Sequence, residues 1–344
     1  MMLENQLLPE KYPQNELLIC DVANMVLKDL MPQMEHPFYS LSKKPDTTIR
    51  RYEHGNDWIE IVPSVKGAAT IYDKDILIYA ISQIMAKLNQ GEKVEKRVRI
   101  NTHEFLMFTN RGTSGREYIA LQNSLDRLEG TRIRTNLETD GKIQWEAFGL
   151  VDSATTRRSS GLDGRLIWCE INLSDWVFNA IKSNDVLTLH RDYFKLRKPI
   201  ERRIYELARK HCGQQKEWPI TLKLLHKKSG SKSSLKEFRR LIKTTVEINH
   251  LPDYTIEYEK PNDRVTFNNR EEWWKDNPKN QNSLLYLPPS AYEEARKFAP
   301  HYDVYYLEQE FHNWWVNSGR PAPKNIKAAF IGFCKKIHKR KPYP

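Results

Sequence analysis

Apolar positions recur with two periods along this chain, and the change from one period to the other marks the elements. Thr48 to Glu53 and Asp57 to Val62 alternate around Gly55 and Asn56, the pattern of a β-hairpin. After Asp73, Ile76, Leu77, Ala80, Ile81, Ile84, Met85 and Leu88 repeat at helical spacing until Gly91. Lys96 to Asn101 reads as a short strand and Thr102 to Phe108 as a short helix. Ser114 and Glu117 have capping-box spacing and open a helix whose inner face is Tyr118, Leu121, Leu125 and Leu128. Thr131 to Leu137 and Ile143 to Leu150 then alternate around Asp140 and Gly141, a second hairpin. Upstream, residues 1–45 look irregular, with one helix near Val22 to Asp29.

The same order returns further on. Leu166 to Ile171 reads as a strand and Leu173 to Ile181 as a helix. Pro199 opens a helix to Cys212 with Ile204, Leu207 and Ala208 inward, and Gly213 and Pro219 bracket a turn. Thr221 to Lys228 is a short helix. Ser234 and Glu237 form a second capping box, ahead of an apolar face of Leu235, Phe238, Ile242 and Val246. Tyr254 to Tyr258 and Arg264 to Phe267 make a hairpin around Pro261, Asn262 and Asp263. Helix, short helix, capped helix and hairpin is the string of a winged helix, whose capped helix enters the major groove. The expected fold is therefore α+β: two tandem winged-helix domains, then a small helical module. The expected parts are an arm over 1–46, domains over 47–160 and 161–274, a polar linker over 275–289 and a module over 290–344. Ser290 and Glu293 give that module a third capping box. Its apolar stripe is Val304, Leu307, Phe311 and Trp314, followed by Ile326, Phe330, Phe333 and Ile337.

Charge narrows the function. The chain has 344 residues and a formal net charge of +11, which favours a polyanionic partner. The surplus is local. Lys223, Lys227, Lys228, Lys232, Lys236, Arg239, Arg240 and Lys243 surround the single acid Glu237. With its apolar face inward, the second capped helix presents Lys236, Arg239, Arg240 and Lys243. Arginine can pair with guanine O6 and N7, and lysine can neutralise phosphate. Lys232, Ser233 and Ser234 stand at its N-terminus, where backbone N–H groups attract phosphate. A plain solvated basic face is the alternative. The first capped helix offers Arg116, Gln122, Asn123 and Arg127, and Asn and Gln suit adenine. Arg132 and Arg134 on the next strand are positioned for backbone contact or for simple exposure.

Catalytic and cofactor signals are weak. Cys20, Cys169, Cys212 and Cys334 are too dispersed for a zinc cluster or a disulfide framework. Asp73 and Asp75 resemble a metal-binding pair, but acids at a helix start are expected from the macrodipole. Glu35 and His36 fit a packed N-terminal arm better than a catalytic pair. No His-x-His and no Gly-x-x-x-x-Gly-Lys-Ser/Thr string occurs. The expectation is a DNA-binding protein that is no enzyme and has no catalytic residue, metal or cofactor. With no signal peptide and no long apolar span, it is expected in the cytoplasm and away from membranes. Trp314 and Trp315, near Lys335, Lys336, Lys339 and Arg340, fit either core packing or stacking on unpaired bases.

Two segments carry a resemblance. Met34-Glu-His-Pro-Phe-Tyr-Ser-Leu-Ser-Lys-Lys-Pro-Asp46 is one, and Ile61-Val-Pro-Ser-Val-Lys-Gly-Ala-Ala-Thr-Ile-Tyr-Asp-Lys-Asp-Ile-Leu-Ile-Tyr79 is the other. Both resemble the replication initiator protein A family of plasmids, the broad-host-range RepA type above all. The resemblance implies binding to iterons of double-stranded origin DNA, duplex opening, and recruitment of the host initiator and replicative helicase. It also implies copy control through a monomer–dimer equilibrium. Single-stranded DNA is a further expected partner. A winged-helix repressor acting only by operator binding is the rival reading; a primase is disfavoured for want of a metal cluster.

Overall fold

The computed structural model describes residues 7–12, 25–54, 57–135, 138–139, 142–143, 146–158, 166–213, 215–270, 287–299, 323 and 325–340, with helical positions 304, 307, 308, 311, 314 and 315. Buried apolar side chains gather into three cores. The first holds a helix α2 (Lys74–Gln90), whose turns are buried nearly all round from Lys74 to Met85. Among the described residues before it lie β1 (Lys28–Leu30), α1 (Met31–Glu35), β2 (Arg50–His54) and β3 (Asp57–Val62). After it come β4 (Arg97–Asn101), α3 (Thr102–Phe108) and α4 (Gly115–Gly130). Next are β5 (Arg132–Thr135), β6 (Glu138–Thr139), β7 (Lys142–Ile143) and β8 (Glu146–Gly149). β9 (Val151–Arg158), β10 (Leu166–Leu173) and α5 (Asp175–Lys182) complete the set.

The second core is built from β11 (Val186–Thr188), a 3-10 turn (Arg191–Lys195) and α6 (Pro199–His211). With these pack β12 (Glu217–Thr221), α7 (Leu222–Ser229), α8 (Leu235–Ile248), β13 (Tyr254–Glu259) and β14 (Arg264–Asn269). The third core lies between α9 (Pro289–Phe298), the helical positions Val304, Leu307 and Phe311, and α10 (Ile326–Arg340).

The two larger units share one topology. Each runs helix, strand, helix, helix, strand, strand: α2-β4-α3-α4-β9-β10 and α6-β12-α7-α8-β13-β14. Each sheet places the last strand in the middle, as β4-β10-β9 and as β12-β14-β13, antiparallel throughout. The first unit differs by an insertion between α4 and β9. There β5 and β8 pair with each other and join the N-terminal hairpin as a separate sheet, β2-β3-β5-β8.

Several expectations are corrected here. The hairpin after α4 does not extend the sheet that α4 packs against; β9 and β10 do. The first unit does not end at 160, because β10, α5 and Val186 lie in its core. The N-terminal arm is packed, as expected, but on both units rather than the first alone: Leu30, Phe38 and Tyr39 enter the first core, while Leu27 and Met34 enter the second. Lys28 to Leu30 is a strand rather than the end of a helix, since pairing with β11 satisfies its backbone; residues 22–24 lie outside the described set. Pro219 sits within β12, not in a turn. It is tolerated because β12 is an edge strand. The expected linker ends early, because Leu287 is buried in the third core and Pro289 opens a helix there; residues 275–286 and the turn at Asp140 and Gly141 lie outside the described residues.

Capping is less regular than the spacing implied. Ser114 stands before α4, but its hydroxyl makes no cap bond; the Glu117 N–H bonds to the Ser114 carbonyl at 2.9 Å instead. Ser290 lies inside α9, whose first residue is Pro289. Ser234 does cap α8, accepting from the Glu237 N–H at 3.2 Å. One glycine fixes how the units touch. Gly230 ends α7 at φ +70, and a Cβ there would lie 2.5 Å from Cβ of Pro37, so only glycine fits.

Charged side chains fill the seam between the units. Lys74 Nζ lies 2.6 Å from Asp29 and 3.0 Å from Glu206 on α6, with none of the three exposed. Arg202 bonds Asp75 at 2.6 Å, and Arg111 bonds the same carboxylate at 2.8 Å. Arg203 donates to the carbonyls of Met34, Glu35 and Lys228. Arg127 likewise forks onto Asp73 at 2.7 Å, so the Asp73 and Asp75 carboxylates, a metal-like pair by spacing, are both engaged by guanidinium groups.

Candidate nucleic-acid interface

Helix α8 turns Phe238, Ile242 and Thr245 into the second core, and helical periodicity sends the intervening cations outward. Lys236, Arg240 and Lys243 are exposed and Arg239 is half-buried. Two of these cations are not free, which corrects the reading of an uncompensated face. Arg239 forks onto Asp263 in the β13–β14 turn, with Nε to Oδ1 at 3.0 Å and Nη2 to Oδ2 at 2.7 Å. Tyr258 donates its hydroxyl to the same carboxylate at 2.7 Å. The guanidinium bonds hold the Asp263 carboxyl below its usual range. Asp263 itself has φ 45, so the turn is set by a left-handed residue whose side chain is anchored on the helix. Arg239 therefore ties the hairpin to the helix. Lys243 lies 5.2 Å from the Tyr258 ring, at the border of this cluster.

Arg240 pairs with Glu237 one turn earlier, at 2.7 and 2.9 Å. Both groups are open to solvent, where such a pair adds little to stability, so a phosphate or base can displace it. Lys232 reaches across to Asp46 at 2.8 Å. Ser233 shapes the loop: its carbonyl accepts from His226 Nε2 at 2.9 Å and its hydroxyl meets Ser231. Lys223 and Lys227, counted in the basic surplus but not among the candidate contacts, are exposed four residues apart on α7. Their i, i+4 spacing on a predicted helix was the available signal.

Helix α4 buries Leu121, Ser124, Leu125 and Leu128. Arg116 and Asn123 are exposed, and Gln122 is half-buried. Arg127 departs from expectation: it is fixed to Asp73 by two 2.7 Å bonds and ties α4 to the start of α2. Those bonds raise its pKa further. Between Arg116 and Asn123 the face carries an exposed Ile119, also not foreseen. Arg132 and Arg134 project from β5, in the sheet of the insertion, and Arg134 bonds Glu60 across the strands at 3.1 Å. Arg97, Arg99 and Arg157 stand on β4 and β9, with Arg99 4.4 Å over the Trp168 ring. No group of three or more His, Cys, Asp or Glu suited to a metal occurs among the described residues, and no helix there is long and apolar enough to cross a membrane.

The model of a known family, described as replication initiator protein A, matches residues 28–256. The chain belongs to the replication initiator protein A family. A protein of Wigglesworthia glossinidia brevipalpis named "Putative replication protein" is 40% identical over 269 residues, covering 78% of this chain and 96% of that protein. Among solved structures, domains 2 and 3 of RctB match at 12% identity with a TM-score of 0.50, over 69% of this chain and 95% of theirs. That likeness concerns the fold. The Pi initiator protein in complex with iteron DNA is a looser match, at 14% identity and a TM-score of 0.41 over 59% of this chain and 92% of that one. The family match covers both larger units up to β13 and stops before the third core.

Proposed function

We propose that this initiator-family protein binds repeated double-stranded origin DNA sequence-specifically through two winged helices and performs no catalysis of its own. The observation that carries the reading is the repeated topology, with a solvent-facing polar helix, α4 or α8, at the same place in each unit. In a winged helix that helix enters the major groove and the hairpin between the last two strands flanks it. The flanking hairpins are then β9–β10 and β13–β14. Lys223, Lys227, Lys236, Arg240 and Lys243 supply phosphate and base contacts in the second unit; Arg116, Gln122 and Asn123 do so in the first. If both helices read one repeat, their grooves lie about one turn, roughly 34 Å, apart. Binding and bending of the duplex then supply the energy for opening, and host replication proteins are recruited to the opened origin. Self-association and a cytoplasmic site of action complete the reading.

Footprinting of the full chain on its own origin tests it. Protection of direct repeats, lost when Lys236 and Lys243 are replaced by Ala, is the expected result. Uniform coverage of all DNA would overturn sequence-specific binding, and protection of a lone operator with no effect on plasmid maintenance would favour the repressor reading.

A further inference from the structure

The third core lies outside the family match and carries an exposed face that the two larger units do not explain. Its long helix α10 contributes Phe330 and Cys334 to the core, with Ile326, Phe333 and Ile337 packed around them. The opposite side shows Ala328, Gly332, Lys335, Lys336 and Lys339 to solvent. At 100° per residue these five positions share one stripe. Helix α10 contains Lys327, Lys335, Lys336, Lys339 and Arg340 and no acid.

Aromatic rings border that stripe on both sides. Phe298, at the end of α9, is 37% exposed, and Lys335 Nζ lies 3.7 Å from its ring centre. Trp314 is 39% exposed and leans on Phe333, ring centres 5.6 Å apart. Phe333 follows the stripe on the flank opposite Lys335, so Phe298 and Trp314 stand on either side of the lysines. The neighbouring Trp315 is half-buried and packs at 5.6 Å on Phe311, as a core residue does. Trp314 also meets Trp315 edge-on at 5.5 Å and Phe311 at 6.3 Å, so it packs on one side and shows the remainder of its ring to solvent.

We propose that this face of the C-terminal module binds a single-stranded nucleic acid, with bases stacked on Trp314 and Phe298 and phosphates held by Lys335, Lys336 and Lys339. Lysines alone would suit any polyanion. The aromatic borders favour an unpaired strand, because a duplex keeps its base faces stacked inside whereas a single strand can offer them. An acidic protein surface would use the lysines and leave both rings in water. Lys335 is moved off Phe298 when a base takes that ring, which frees its charge for the adjoining phosphate. The small side chains of Ala328 and Gly332 leave the strand room to lie against the helix.

The test uses the full chain, a labelled oligo-dT of about 15 nucleotides, an abasic strand of equal length and an iteron duplex. Wild-type protein is expected to prefer oligo-dT to the abasic strand by about tenfold or more. Replacing Trp314 and Phe298 with Ala removes that preference and leaves iteron binding unchanged. Lys335→Gln with Lys336→Gln weakens both strands alike and flattens the salt dependence. As a control for folding, Trp314→Phe keeps the preference but loses the part of the tryptophan quenching that oligo-dT causes in the wild type. Equal binding of the two strands by wild-type protein would overturn the proposal in favour of an acidic partner. A preference that survives loss of both rings would overturn it as well. Failure of the wild type to bind the iteron duplex would bear on the duplex reading alone.

Discussion

Lys74 and Glu206 meet at 3.0 Å in an interior where neither is exposed, one from the first helix of each larger unit. Asp29 completes the site at 2.6 Å from the same ammonium. The two units are thus joined by a desolvated charge cluster and by apolar contacts such as Met34 and Ile78 in the second core. A cluster of this kind tolerates poorly the removal of one member, because the rest remain buried without compensation.

Replacing Glu206 with Gln should therefore cost about 3–5 kcal/mol. Urea unfolding followed by both far-UV dichroism and tryptophan emission would measure it. Coincident transitions are expected in the wild type and separated ones in the variant, if the cluster is what makes the units unfold together.

Asp29 gives the protein an acid-side dependence. Burial pushes its pKa up from 3.8 to about 6, with Lys74 offsetting part of the effect. Between roughly these two values the folded state binds more protons at Asp29 than the unfolded chain does. The contribution of this group to stability is therefore present at the acid end of that window and lost as the pH rises through it. Asp29→Asn has no such proton to lose. The stability of the wild type relative to the variant should fall from pH 4 to pH 6, and urea midpoints at half-unit steps would show it; a constant difference would contradict the assignment.

Arg239 and Asp263 should act as one unit in DNA binding. Arg239→Ala and Asp263→Asn both release the β13–β14 turn from α8. Each is expected to weaken iteron binding, by an amount on the order of 1–2 kcal/mol, and the double variant should lose little more than either alone. Lys243→Ala should instead weaken all DNA similarly and reduce the salt slope by about one. Additive losses at 239 and 263 would return Arg239 to the role of a base reader.

Arg127 should prove structural. Its guanidinium is four-fifths covered and forked onto Asp73, itself buried. Arg127→Ala leaves that carboxylate unpaired and is expected to cost about 3 kcal/mol of stability, with no change in which DNA sequence is preferred. Thermal unfolding and a competition assay on altered repeats would separate the two effects.

The sequence made the long helices legible because their burial is one-sided or complete, and either leaves a pattern. α2 and α8 were readable from Ile76 to Leu88 and from Phe238 to Ile242. The hairpin of β2 and β3 was readable from its alternation and its Gly-Asn turn. β9 was not, because Val151 to Arg158 is nearly all polar and acquires its strand character only by pairing with β10. Missing it misplaced the hairpin of the first unit and ended that unit too early. The candidate cations were visible as residues but not as partners. Asp263 lies 24 positions from Arg239 and Asp73 lies 54 from Arg127, and nothing local to either arginine announces the carboxylate that occupies it. Lys74 could pass for a surface lysine in the first turn of a helix until Glu206, far along the chain, is placed beside it.

Pro219 has a consequence for crowding. It occupies the outermost strand of the second sheet, where an ordinary residue would offer its amide to whatever came alongside. On the proposed function, copies seated on successive repeats of one origin would hold such rims at high local concentration. With the amide missing at 219, neighbouring molecules find one fewer rung on which to zip together, and a row of initiators can fill its sites while remaining separate bodies.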